Sequence, residues 1–175
     1  MRRQDGDPGG RRMRDGETAR VSWTISAVPP EARAALAPLF EAYAAEMRAT
    51  LAGDAVASGA AAAALLAADP RAGLLAAFEG GAAVGFAVFF ELPELVFARR
   101  CGALDDLFVR PDHRGRGIAR ALLAALAALG RERGWSHLRW IVPEADRAAI
   151  ALYERVASRA PWRSYVIRLD AAASL

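Results

Sequence analysis

The sequence predicts one mixed α/β domain built around one sheet. Three observations point there. The chain has 175 residues, enough for one ordinary domain with little room for a second. Short apolar runs alternate with segments of helical periodicity in the order β-α-α-β-β-β-α-β-α-β. No repeat period is visible along the chain.

Residues 1–20 are rich in Arg, Asp and Gly with almost nothing apolar, and they cannot bury enough surface to offset the entropy of ordering. They read as a leader outside the fold, or as an extension ahead of a start at Met13, with a basic arm for an acidic partner as the functional alternative. The domain is therefore placed at 21–175. Val21–Ser26 alternates apolar and polar residues as a strand does. Pro29 and Pro30 break it. Across 31–49, Leu36, Leu39, Phe40, Tyr43 and Met47 recur at helical spacing, with Pro38 as a kink. Ala60–Ala68 is an Ala-rich helix stopped by Asp69-Pro70, and its small side chains require a close-lying neighbour.

Two apolar runs, 73–79 and 83–90, flank Gly80-Gly81 and predict a β-hairpin. Residues 91–100, with Pro93 and mixed charge, read as a loop or edge excursion. Ala103–Val109 is a third apolar strand, ended by Arg110-Pro111-Asp112-His113. Ile118, Leu122, Leu126 and Leu129 stripe a helix that stops near Gly130 and Gly134. A strand at 137–142, a helix at 147–157 and a final strand at 162–169 complete the order.

Composition narrows the function classes. Hydrophobic residues make up 54% and charged residues 25%, which suits a packed core. The net charge of +3 comes entirely from Arg on the basic side, since there is no Lys, and it does not call for a nucleic-acid partner. The apolar runs are shorter than the roughly 20 residues a membrane helix needs. Asp5, Gly6 and Asp7 stand where a signal peptide needs an apolar stretch, and the expected compartment is the cytoplasm. One cysteine, Cys101, excludes an internal disulfide framework. Two histidines, His113 and His137, leave few ligands for a zinc site of the usual kind, and no metal is expected. Cys101 reads as a bystander, His137 as structural, and Trp135, Trp140 and Trp162 as core.

The segment Arg114-Gly115-Arg116-Gly117-Ile118-Ala119 carries the most chemical information. It joins a strand to a helix. Its glycines permit backbone conformations closed to other residues and let a ligand approach the main chain. The first amides of the following helix lack internal partners and carry the positive end of the helix dipole. A pyrophosphate suits such a site, and Arg114, Arg116 and Arg120 add charge. A P-loop would need a Lys, and a dinucleotide fingerprint a third Gly where Arg120 stands. A plain Arg-Gly turn and a short RNA-binding segment remain as other readings.

Leu104-Asp105-Asp106-Leu107-Phe108-Val109-Arg110-Pro111, then Arg114-x-x-Gly117-x-Ala119, then Trp140-Ile141-Val142, Asp146, Ala149 and Leu152-Tyr153-Glu154-Arg155 together resemble the GNAT superfamily of N-acetyltransferases. The resemblance covers about 21–170 and is sharpest over 103–155. It implies a mixed, mostly antiparallel sheet flanked by helices, with acetyl-CoA as the acetyl donor. It implies that amides from Gly115 through Arg116, Gly117 and Ile118 to Ala119 hold the pyrophosphate, with Arg114 and Arg120 beside them. Main-chain groups of Phe108 and Val109 would bond the pantetheine arm, a strand N–H would stabilise the oxyanion, and the Tyr153 phenol would protonate the leaving thiolate. The family usually has Asn where Asp146 stands, so Asp146 either contacts the cofactor as an acceptor or caps the next helix. Val84-Gly85-Phe86-Ala87, Leu104-Asp105-Asp106, the stretch 148–155 and Trp162-Arg163-Ser164-Tyr165 are similar to polyamine-acetylating branches, which implies Asp105 as the base or cation anchor; Glu91 and Glu94, in the charged excursion before that strand, are further candidate anchors by position. Family members often dimerise, so a homodimer is implied as an option.

The substrate expected is a primary amine on a small molecule or peptide. Deprotonating a Lys-like amine at pH 7 costs about 4.6 kcal/mol, which is why a base is sought. Adjacent strand residues face opposite ways, so one of Asp105 and Asp106 should face the cleft. A non-catalytic acyl-CoA sensor is the alternative function.

Overall fold

A computed structural model describes residues 23–50 and 56–167. Among these residues five strands form one sheet in the order β1 (Trp23–Ala27), β2 (Ala72–Glu79), β3 (Ala82–Glu94), β4 (Arg99–Val109) and β5 (Leu138–Arg139). The first three pairings are antiparallel and the last is parallel. Four α-helices among the described residues flank the sheet: α1 (Ala37–Thr50), α2 (Gly59–Ala68), α3 (Ile118–Glu132) and α4 (Arg147–Val156). This is the mixed, mostly antiparallel arrangement expected. No helix among the described residues is long and apolar enough to cross a membrane.

The two faces of the sheet hold separate cores. Leu39 and Phe40 of α1 and Ala63 of α2 pack on Leu74, Phe86, Val88 and Phe108. On the other face Ile118, Leu122, Leu123 and Leu126 of α3 pack on Leu75, Ala87, Phe89, Leu104 and Val109. The helical stripe read from the sequence is this buried face of α3, with Leu129 at its margin. The close approach expected of the Ala-rich helix occurs at Gly59, where a Cβ would fall 2.3 Å from the Ala37 carbonyl oxygen. Trp135 lies in niches left by Gly102 and Gly130, where a Cβ would fall 2.2 Å and 2.7 Å from its ring.

Arg33 is 4% exposed, an unusual depth for a charge. Its guanidinium donates to the carbonyls of Val28, Leu66, Asp69 and Ala72, tying the end of α2 to the start of β2 and to the residue that follows β1. Nothing in its sequence context signals this role.

Several elements differ from their expected form. The segment before α1 is a 3₁₀ helix, Pro30–Leu36, rather than the start of one long kinked helix. Pro38 is the second residue of α1, where its missing N–H has no helical partner to lose, so it opens a helix instead of bending one. Residues 91–100 form the tip of a second hairpin, because β3 continues to Glu94 and pairs it with Arg99. Pairing to β2 ends at Ala72↔Phe90, so Pro93 lies where one side of β3 has no neighbour. The strand at 137–142 shortens to Leu138–Arg139.

Residues 162–167 form no strand, while 168 and 169 lie outside the described residues, as do 1–22. Trp162 and Tyr165 are 86% and 85% exposed, so Trp162 does not fill the core. An alternating pattern states a preference, but a strand also needs an adjacent edge, and the short β5 offers little of one.

Candidate functional site

The site begins where β4 leaves its neighbour. Beyond Ala103↔Arg139, no further residue of β5 pairs with β4 among the described residues. Along the same stretch β4 stays bound to β3 as far as Gly85↔Val109. The edge of β4 from Leu104 to Val109 therefore opens into a wedge. Phe108 anchors one wall in the α1–α2 core, and Val109 faces the α3 core.

Inside this stretch β4 carries a bulge. The register steps from Val88↔Asp106 to Phe89↔Leu104, leaving Asp105 with no opposite residue. The bulge breaks the simple alternation expected of Asp105 and Asp106. Asp105 is exposed, and its charge is felt by both Asp106 and Tyr43 of α1. Asp106 is half-buried and accepts a hydrogen bond from the Tyr43 hydroxyl at 2.5 Å. Burial holds the Asp106 carboxyl above the usual carboxylate range, opposed by the Tyr43 bond and assisted by Asp105. The Tyr43 phenol is itself driven upward by burial and by Asp106. Tyr43 rings meet Phe86 and Phe108 at 5.5 Å, which fixes the phenol over the bulge. Sequence reasoning placed Tyr43 only as a helix-face residue; its distance of 63 positions from Asp106 hid the pair.

At the other end of the wedge is the Arg-Gly turn. Gly115 and Gly117 have φ of 74° and 84°, the left-handed region that favours glycine. A Cβ at either position would meet no atom within 4 Å, so the turn presents open space to a ligand. Gly117 caps the N-terminus of α3, and the first helical bond runs from the Ala121 N–H to the Gly117 carbonyl at 3.0 Å. The amides of Ile118, Ala119 and Arg120 precede that bond, the arrangement that receives anions. Ile118 buries its side chain and contributes only its backbone, while Arg120 is exposed.

The arginines of the turn are held by carboxylates. Arg114 donates to the Val109 carbonyl at 2.9 Å and to Glu46 of α1 at 2.5 Å, with its guanidinium 5.7 Å from the Phe108 ring centre. Arg116 makes two bonds to Glu79 at 2.9 and 2.5 Å. His113 lies 3.1 Å from Glu79 and 2.8 Å from Asp112. The Asp112 carboxyl is drawn down to about 2, first by His113 and then by Arg110. These contacts fasten the turn to the β2–β3 hairpin and to α1.

Tyr153 of α4 is half-buried and meets the Trp140 ring edge-on at 5.3 Å. Burial, and secondarily Asp146, raise its phenol, which keeps the proton in place at neutral pH. Asp146 caps α4 by accepting from the Ala149 N–H at 2.9 Å, the capping alternative read from the sequence. Glu91 and Glu94 lie at the far end of the β3–β4 hairpin, outside this group. Glu91 is paired there with Arg133 and Arg100.

The sequence model of the Acetyltransferase (GNAT) family matches residues 36–157, a span that contains the wedge, the turn and Tyr153. The chain belongs to this family. Within it, a thialysine N-epsilon-acetyltransferase from Caenorhabditis elegans is 43% identical over 53 residues, which is 30% of this chain and 33% of that protein. The chain thus matches about a third of that curated relative's length. Over nearly the whole fold it is similar to the crystal structure of a ribosomal-protein-alanine N-acetyltransferase from Brucella melitensis biovar Abortus 2308. That likeness has a TM-score of 0.70 and 35% identity, covering 84% of this chain and 99% of the other. An aminoglycoside N-acetyltransferase solved in complex with CoA shares the fold, at a TM-score of 0.62 and 17% identity over 85% of this chain and 95% of the other.

Proposed function

We propose that this GNAT protein is an acetyl-CoA-dependent N-acetyltransferase acting on a primary amine. The observation that carries the reading is the opening between β4 and β5 beside the Gly115–Ala119 turn. One end of that opening suits a diphosphate, and the bulged strand edge suits an amide-bearing arm and a thioester. Acetyl-CoA supplies an activated acetyl group.

The chain's own residues would then divide the work. Amides from Gly115 to Ala119 hold the diphosphate, with Arg114, Arg116 and Arg120 supplying positive potential around it. Main-chain groups of Phe108 and Val109 align the arm. A main-chain N–H at the bulged edge of β4 would stabilise the oxyanion as the amine attacks the carbonyl carbon. Asp105, exposed beside the bulge, anchors the cationic amine, and Asp106 takes its excess proton directly or through water. Tyr153 gives its phenolic proton to the departing thiolate and recovers one from solvent. Asp146 supports this only by fixing the start of α4. The likeness to a thialysine acetyltransferase supports an aliphatic amine as acceptor.

An amine panel of polyamines, amino acids and peptides, read as release of free thiol from acetyl-CoA, tests the proposal. Turnover with at least one primary amine is expected. Acetyl-CoA binding without turnover across the panel would favour a sensor, and no binding would overturn both.

A further inference from the structure

At the far end of the sheet, three side chains outside the proposed catalytic apparatus converge. Glu94 of β3, Cys101 of β4 and His137, which precedes β5, each bring one donor atom to within 4.8 Å of the others. We propose that they form a binding site for one divalent ion of the zinc class.

The donor set suits such an ion. Thiolate, imidazole and carboxylate are the ligands of tetrahedral Zn²⁺ and Co²⁺, whereas Mg²⁺ and Ca²⁺ prefer all-oxygen sites. Bonds of about 2.0–2.3 Å place tetrahedral ligand atoms roughly 3.3–3.8 Å apart. Cys101 Sγ already stands 4.0 Å from Glu94 Oε2, so small rotamer adjustments close the ring. Cys101 is 0% exposed and Glu94 and His137 are half-buried, which leaves entry from the carboxylate and imidazole side and a fourth position for water.

The surroundings favour an ion-ready imidazole. Ser136 Oγ donates to the Arg100 carbonyl at 3.2 Å and lies 3.0 Å from His137 Nδ1. With its proton given to Arg100, the hydroxyl can only accept from Nδ1–H. That tautomer leaves the lone pair on Nε2, in the manner of an orienting partner behind a metal ligand. The Phe97 ring meets the imidazole edge-on at 6.0 Å and restricts its rotation. Arg139 lies 3.9 Å from Glu94. A thiolate and a carboxylate together cancel a 2+ ion, so the loaded site is neutral and Arg139 keeps a tolerable neighbour.

The site would be structural. Cys101 pairs with Leu92 and Val109 with Gly85, so the cluster and the Arg-Gly turn occupy opposite ends of β4. Among the described residues β5 is held to β4 by two register pairs, Gly102↔Leu138 and Ala103↔Arg139. An ion bound by His137, Cys101 and Glu94 would pin this join. Binding releases the thiol proton to solvent, and no electron transfer is involved.

Titration of chelator-treated full chain with Co²⁺ tests the site. One equivalent should produce a thiolate-to-cobalt absorption band and tetrahedral visible bands, both erased by Zn²⁺, with a rise in melting temperature. His137→Ala and Glu94→Gln should each weaken binding at least tenfold, and Cys101→Ser should abolish the thiolate band. The two half-buried positions keep the test open if Cys101→Ser fails to fold. His113→Asn, which changes the other histidine, should leave the cobalt spectrum intact. Absence of a one-equivalent thiolate band, or His137→Ala titrating like the parent, overturns the site. Either result stands apart from the acetyl-transfer assay.

Discussion

Asp106 receives opposed influences: burial lifts its pKa, while the Tyr43 hydroxyl lowers it. A base works when deprotonated, so the proposed reaction should gain rate as pH rises through the raised value. Replacing Tyr43 with Phe removes the bond that favours the carboxylate. The acid limb of the kcat/KM profile should then move to higher pH, and a limb that stays in place would remove Asp106 from the mechanism. Stability has the opposite sign. A carboxyl raised in the native state binds its proton there more tightly than in the unfolded chain, so this contribution falls as pH rises through the window between the two values. Asp106→Asn should therefore lower turnover while stabilising the fold at pH 7, measured by denaturant melts at pH 5 and pH 7. For Tyr153→Phe, loss of a general acid predicts a fall in kcat of about 100-fold with acetyl-CoA affinity little changed. Steady-state kinetics beside calorimetric binding would check that split. The sequence pointed to Tyr153 and Asp105 through short motifs, whereas the Tyr43–Asp106 bond joins a helix to a bulged strand 63 positions away, which only the fold brings together.

Among the elements, the turn before α3 was the most legible in the sequence, because glycine spacing, strand end and helix start lie within a few residues. Gly117 is needed for its φ of 84°, and a side chain there incurs the left-handed penalty of about 1–2 kcal/mol. Gly117→Ala should lose about that much stability by denaturant unfolding and should bind acetyl-CoA more weakly. Wild-type affinity in that variant would argue against a diphosphate on these amides. At the 3₁₀ helix, Arg33→Met should cost about 3 kcal/mol, because it strands several buried carbonyls at once. Equilibrium unfolding would read this. The long β3–β4 hairpin was illegible for a different reason. Pro93 and mixed charge are loop signals, yet β3 outruns β2, and a strand with one open side tolerates both.

Across the molecule, the proposed cosubstrate would bridge β4, the turn and the head of α3, so binding should stabilise the whole fold. A hundredfold excess over Kd adds about 2.7 kcal/mol. For a domain of this size that corresponds to about 5–10 °C in Tm. A melt unmoved by saturating acetyl-CoA would contradict the proposed function. By itself the sequence determined the fold class, the element order through α4, the α3 core stripe and the glycine turn that leads into α3. All of these are written in local spacing, which backbone geometry reads directly. Tertiary structure alone decided the wedge between β4 and β5, the bulge that reorients Asp105 and Asp106, and the burial of Arg33. It also decided that Glu94, Cys101 and His137 meet and that 162–167 stays out of the sheet. Each of these depends on which distant strand or helix becomes a neighbour, and pairing register and burial are properties of that neighbour as much as of the residue.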